Sequence, residues 1–146
     1  MTTNNLFQLS LPEQWKETTI HTFQGPHDSG VQHNLVLVID PEVPKKTDLK
    51  EYAHKQSGVT KEVLPGYAAI SETGKTLPSG VPAFEIVYKY VPAEGIELFQ
   101  KQVFMIIEGK GYIFSATFSK KTLQTVAYEV DQIIMSFKPV RVDEKE

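Results

Sequence analysis

His21, His27 and His33 recur every six residues, and histidine is the commonest metal ligand. That spacing matches no ligand set on one helix or one hairpin, and no carboxylate motif accompanies it. No metal site is therefore expected. The chain has no cysteine, which excludes disulfides, thiolate zinc sites, iron–sulfur ligation and cysteine nucleophiles. Its serines and aspartates fall mostly in turn-forming stretches, without a nucleophile elbow or other triad signature. Gly109 and Gly111 stand between two strand patterns rather than ahead of a helix, so they read as a hairpin and not as a phosphate cradle. Glu94, Glu97 and Glu108 read as loop and strand-edge charges. Nothing assembles a nucleophile, a base and an oxyanion donor, so no catalytic residue and no cofactor are expected.

Two glutamines are different. Gln56 lies seven residues after Leu49 on the apolar stripe of a helical pattern, and Gln102 alternates in register with Phe104 and Ile106 on a strand pattern. Both break the local binary pattern. Either each amide meets a backbone group or water at the rim of the core, as buried polar groups ordinarily do, or the two are unspent donors and acceptors inside an apolar binding surface. Residue patterns alone leave both readings open.

The elements that must position them follow from periodicity. A short strand covers the stretch LFQLSLP, and a second, TTIHTF, is followed by turn chemistry in Gly25-Pro26-His27-Asp28-Ser29-Gly30. The stretch HNLVLVID is apolar on both faces from Leu35 to Ile39. Then the period changes. Leu49, Tyr52, Ala53, Gln56, Val59 and Val63 form one helical stripe, with Thr47 or Asp48 as N-cap and Pro65-Gly66 as the stop, and Gly58 weakens the helix interior. Four strands follow, joined by turns short enough to demand antiparallel hairpins. A last helix is expected from about Lys120 to Phe137, with Leu123, Val126, Val130, Ile133, Ile134 and Phe137 on one stripe.

The third of those four strands contains FQKQVFMII, residues 99–107. One face reads Gln100, Gln102, Phe104, Ile106 and the other Phe99, Lys101, Val103, Met105, Ile107, so both are apolar from Val103 onward and each needs a cover. The expected architecture is α+β, an antiparallel sheet with the helices packed on one face.

A length of 146 residues fits a single domain over 1–139, followed by a charged tail at 140–146. A net charge of −3, with both signs interspersed, supplies no basic stripe for nucleic acid. The start MTTNNLFQLSLPEQW lacks a basic region and a long apolar run, and no stretch nears the roughly 20 apolar residues of a membrane span. A soluble cytoplasmic protein that does not itself insert into membranes is expected.

The order of elements, the opening LP..W, the TIHTF strand, the helix from Tyr52 to Gln56, the LPGY exit and KQVF ahead of a hairpin and a C-terminal helix resemble the DcrB-like domain family. Within it the chain most resembles the effector-associated-gene (Eag) chaperones of bacterial type VI secretion. The resemblance implies a PsbP/Mog-like fold with a curved antiparallel sheet, a homodimer, and an apolar groove on the concave face of that sheet that receives the N-terminal transmembrane segment of a secreted effector. Two groove glutamines of that family, which hydrogen-bond polar atoms of the client helix, fall on Gln56 in YAHKQ and Gln102 in KQVF. The apolar pair of the second strand falls on Ile20 and Thr22, where Thr22 departs from the aliphatic residue of the family. With Phe104 and Ile106 these residues make the expected client site, and the client would cover the second apolar face. The alternative is a binding module of the Mog/PsbP-like type, regulating a GTPase or the assembly of a complex. A periplasmic DcrB-type lipoprotein is disfavoured by the missing leader and cysteine, and an enzyme by the missing catalytic set.

Overall fold

The computed structural model describes residues 2–3, 8–15, 17–28, 31–44 and 46–140; the side chains of His27, His33 and Val59, part of the first expected strand and most of the tail lie outside the described residues. In chain order the elements are β1 (Thr2–Thr3), β2 (Gln8–Leu9), β3 (Thr19–Asp28), β4 (Val31–Asp40), α1 (Leu49–Val63), β5 (Ala68–Thr76), β6 (Pro82–Ala93), β7 (Ile96–Ile107), β8 (Lys110–Ser119) and α2 (Ala127–Met135). Among the described residues, β1 pairs only with β2, and six strands form one antiparallel sheet in the order β3-β4-β8-β7-β6-β5. No helix among them is long and apolar enough to cross a membrane.

Local chemistry explains the boundaries. Asp48 caps α1, its Oδ2 accepting the Glu51 N–H at 3.2 Å, and Gly66 at φ +68° turns the chain out after the last turn. The helix runs unbroken through Gly58 because tertiary packing outweighs that residue's weak propensity. The β7–β8 turn is the two-residue loop Glu108-Gly109, both at positive φ (50° and 78°), with Ile107 facing Lys110. Two successive positive-φ residues give the type I′ geometry that matches strand twist.

Three expectations change. β3 does not stop before Gly25 but continues to Asp28, with its register slipping between Gln24 and His27. This is an edge strand, where a bulge accommodates a proline that cannot donate to the ladder. α2 begins at Ala127 rather than Lys120, because Ser119 and Thr122 bond each other's backbone N–H groups (2.8 and 3.1 Å) and hold 120–126 in turns.

The third change is architectural. The helices lie on opposite faces of the sheet, not on one. Val130 and Ile134 of α2, with Val126 just ahead of it, join a core with Leu35, Leu37, Val103, Met105, Phe114, Ala116 and Phe118. α1 contributes Tyr52 and Ala53 to a second core with Phe84, Ile86, Tyr88, Phe104 and Ile113. Successive residues of a strand point to opposite faces, so Val103 and Met105 belong to one core and Phe104 to the other. The apolar pattern of β7 thus needs two helical covers. A helix is only about 10–12 Å wide against a strand spacing of about 4.8 Å, so one helix hides little more than two strands.

Charge fastens α2. Lys101, only 14% exposed, pairs with Asp131 of α2 and lies 3.8 Å from Glu85, which Lys75 also holds.

Candidate functional site

Directly opposed residues in an antiparallel ladder share a face. The register therefore lays out the α1 face in rows across the sheet. One row runs Ile20, Val38, Ile113, Phe104, Phe84 from β3 to β6. The next runs Thr22, Val36, Ser115, Gln102, Ile86. Beyond it lie Gln24 opposite Asn34, and Thr117 opposite Gln100 opposite Tyr88.

α1 covers one part of this face. The Tyr52 ring meets Phe104 edge-on at 6.4 Å, and His54 does the same to Phe84 at 5.8 Å while bonding Glu72 of β5 at 2.7 Å. Tyr52 can settle onto β8 because Gly111 stands beneath it: a Cβ there would run into the phenol, 2.7 Å from its Cζ. Its hydroxyl donates to Asp40 Oδ2 at 3.1 Å. Burial first, then the Asp40 charge and that hydrogen bond, push the Tyr52 phenol well above its ordinary range. Burial does the same to Tyr88, with Tyr90 and Tyr67 adding to it.

The remainder of the face, over β3, β4 and the near halves of β8 and β7, is not covered by α1. Ile20 is 61% exposed, Thr22 and Thr117 are exposed, and Val36, Ser115, Gln100 and Leu98 are partly so. Asn34, Val36, Leu98, Gln100, Ser115 and Thr117 line a depression of about 470 Å³ there. These positions are aliphatic, hydroxyl or amide, and none is charged. Short side chains on the floor, Val36, Ser115 and Thr117, let an occupant approach the sheet closely.

Gln102 stands on the boundary. Its neighbours Phe104 and Ile86 are sealed under α1, at 0% and 1% exposure, whereas its other neighbour Ser115 opens onto the depression. The amide Nε2 donates to Ser115 Oγ at 3.3 Å, and Oε1 is buried without a hydrogen-bond partner among the described residues. Neither reading of the sequence foresees this half-satisfied state.

The other expected site residues divide. Ile20 and Thr22 lie on the same open face as Gln102, in adjoining rows. Phe104 is fully buried and Ile106 packs into the α1 core, so α1, not a partner, covers them. Gln56 is exposed, and the buried position goes to Ser57 one residue on. The inward face of α1 is centred near Ala53, so Gln56 sits on its shoulder. There it borders a depression shared with Asp40, Pro44, Thr47, Tyr52 and Lys55 rather than the one beside Gln102. Ser115 escaped notice as a site residue, although the two-residue turn at Glu108-Gly109 places it opposite Gln102. Among the described residues no three His, Asp or Glu side chains converge to hold a metal.

The DcrB family model matches residues 7–136. Comparison with curated proteins gives no match. Among solved structures, PA94, a protein of unknown function from Pseudomonas aeruginosa, superimposes with a TM-score of 0.74 over 92% of this chain and 92% of that one, at 20% identity. Cyanobacterial PsbP (CyanoP) from Synechocystis does so with a TM-score of 0.58 over 74% of this chain and 68% of that one, at 15% identity. At such identities the likeness is one of fold: the chain is an α+β protein sharing the PsbP fold.

Proposed function

Since the chain belongs to the DcrB family, we propose that it is a non-enzymatic chaperone-adaptor that shields an apolar transmembrane helix of a client, and that this client is a type VI secretion effector, as the resemblance to Eag chaperones implies. The observation that carries the reading is Gln102: an amide whose oxygen is buried without a partner among the described residues, set at the edge of an uncharged and partly uncovered sheet face. Native proteins rarely leave a buried acceptor unpaired, and such exceptions concentrate where a partner is to be met.

The rest of the face suits that occupant. A transmembrane helix of about 20 apolar residues exposes surface that costs about 25 cal/mol per Å² in water. Ile20, Val36 and Leu98 offer aliphatic contact, while Thr22, Gln100 and Gln102 offer hydrogen bonds without the desolvation cost of a charge. One sheet face touches one side of a helix, so a homodimer bringing two such faces together would enclose it. Gln56 would contribute from the shoulder of α1 in that assembly. Action on a client before it reaches a membrane places the protein in the cytoplasm.

Co-expression with an effector fragment tests this. The intact fragment should co-purify stoichiometrically and stay soluble, and the same fragment without its transmembrane segment should not. Equal recovery of both would defeat the reading.

A further inference from the structure

Gln102 has a neighbour whose role follows from geometry rather than from the family. We infer that Ser115 is a positioning residue that holds the Gln102 amide in a tucked, under-satisfied state, from which the amide turns outward when the groove is filled. The inference rests on the reading of the open face as a client groove, and it concerns the regulation of that site.

Gln102 and Ser115 are directly opposed on β7 and β8, and among the described residues the amide's side-chain hydrogen bond is the 3.3 Å one from Nε2 to Ser115 Oγ. Oε1 meanwhile is buried, and the residues flanking Gln102 on this face, Ile86 opposite it on β6 and Phe104 two residues on, are themselves buried and apolar. In that position neither water nor a client can reach the oxygen. A glutamine has three rotatable bonds, and this one is only partly buried, so turning about them carries the amide over Ser115 and Val36 into the depression. In the free protein the turn breaks that hydrogen bond and empties the space the amide fills beside the α1 core, which offsets the release of the buried acceptor; a polar client atom pairing with the amide tips the balance outward. Which state prevails is then set by Ser115: without its hydroxyl the tucked state loses its hydrogen bond and the outward state loses nothing.

The consequence is opposite to what a groove-lining residue ordinarily shows. Ser115→Ala should bind more tightly than wild type, by about two- to tenfold, the worth of one neutral hydrogen bond. The probe is a synthetic helix of apolar residues with one central asparagine and lysines at both ends, titrated by fluorescence anisotropy against wild type, Ser115→Ala, Gln102→Met and the double variant. The gain should appear in Ser115→Ala and vanish in the Gln102→Met background, since it acts through that amide. A peptide with leucine in place of the asparagine should show no gain. Weaker or unchanged binding by Ser115→Ala, with wild type binding the probe, would overturn the inference and leave the groove reading standing. Failure of wild type to bind either peptide would overturn the groove reading and the inference with it. Circular dichroism of each variant separates misfolding from altered affinity, and Ser115→Cys, which retains a weak acceptor, should fall between wild type and alanine.

Discussion

Replacing Gln102 by methionine separates a binding role from a structural one without any client in the tube. Methionine keeps nearly the same length and volume, and its thioether needs no hydrogen bond. The substitution removes a buried acceptor that has no partner among the described residues, a burden of about 1–3 kcal/mol. It also removes the bond to Ser115, whose 3.3 Å length puts it at the weak end of about 0.5–1.5 kcal/mol. Ser115 is only partly buried, so its hydroxyl can turn to water. The balance is a gain of about 0.5–2 kcal/mol, which for a chain of this size raises the melting temperature by about 2–6 °C. Differential scanning calorimetry and urea titration should agree on the sign. Affinity for an apolar helix carrying a polar centre should meanwhile fall about tenfold or more, since the client's polar atom is then left unpaired. A melting temperature that falls by several degrees would refute the argument, because it would mean that the amide is satisfying the core.

The close approach of Tyr52 to β8 makes Gly111→Ala destabilising by about 1–3 kcal/mol, through displacement of the phenol and loss of its bond to Asp40, measurable by urea titration and by perturbed near-ultraviolet circular dichroism. Alkaline pH should also unfold the protein. Tyr52 and Tyr88 are held above the ordinary phenol value near 10, so above that pH the unfolded chain has lost protons that the folded chain keeps, and stability present below it declines as pH rises. Tyr52→Phe should flatten part of that decline in melts taken between about pH 9 and pH 11, and an unchanged slope would contradict it.

Strand and helix identity was legible in the sequence because it rests on local period. Residues 99–107 alternate so plainly that both of their apolar faces are legible, as is the stripe of α1, whereas the choice between Thr47 and Asp48 as its cap falls to Asp48 only in the fold. The position of Gln102 on one strand face with Ile106 and Phe104 followed from the same alternation. What covers each face did not. An apolar stripe states that a helix has an inside, not which side of a sheet it chooses, and the placement of α1 over Phe104 and α2 over Val103 and Met105 depends on contacts between residues far apart in the chain. Gln56 illustrates the limit at one residue: helical period admits it to the inner stripe, but with Tyr52 over Gly111 and His54 on Glu72 the inner face of α1 centres on Ala53, and Ser57 is buried instead. The sequence by itself determined which stretches are strand or helix, the antiparallel hairpins of β5 to β8 and the anomaly of a glutamine in an apolar register. Only the tertiary structure decided that this amide lies where a helix about two strands wide stops covering the sheet, because the width of the cover and the register of the ladder are properties of packed elements and not of any single stretch of chain.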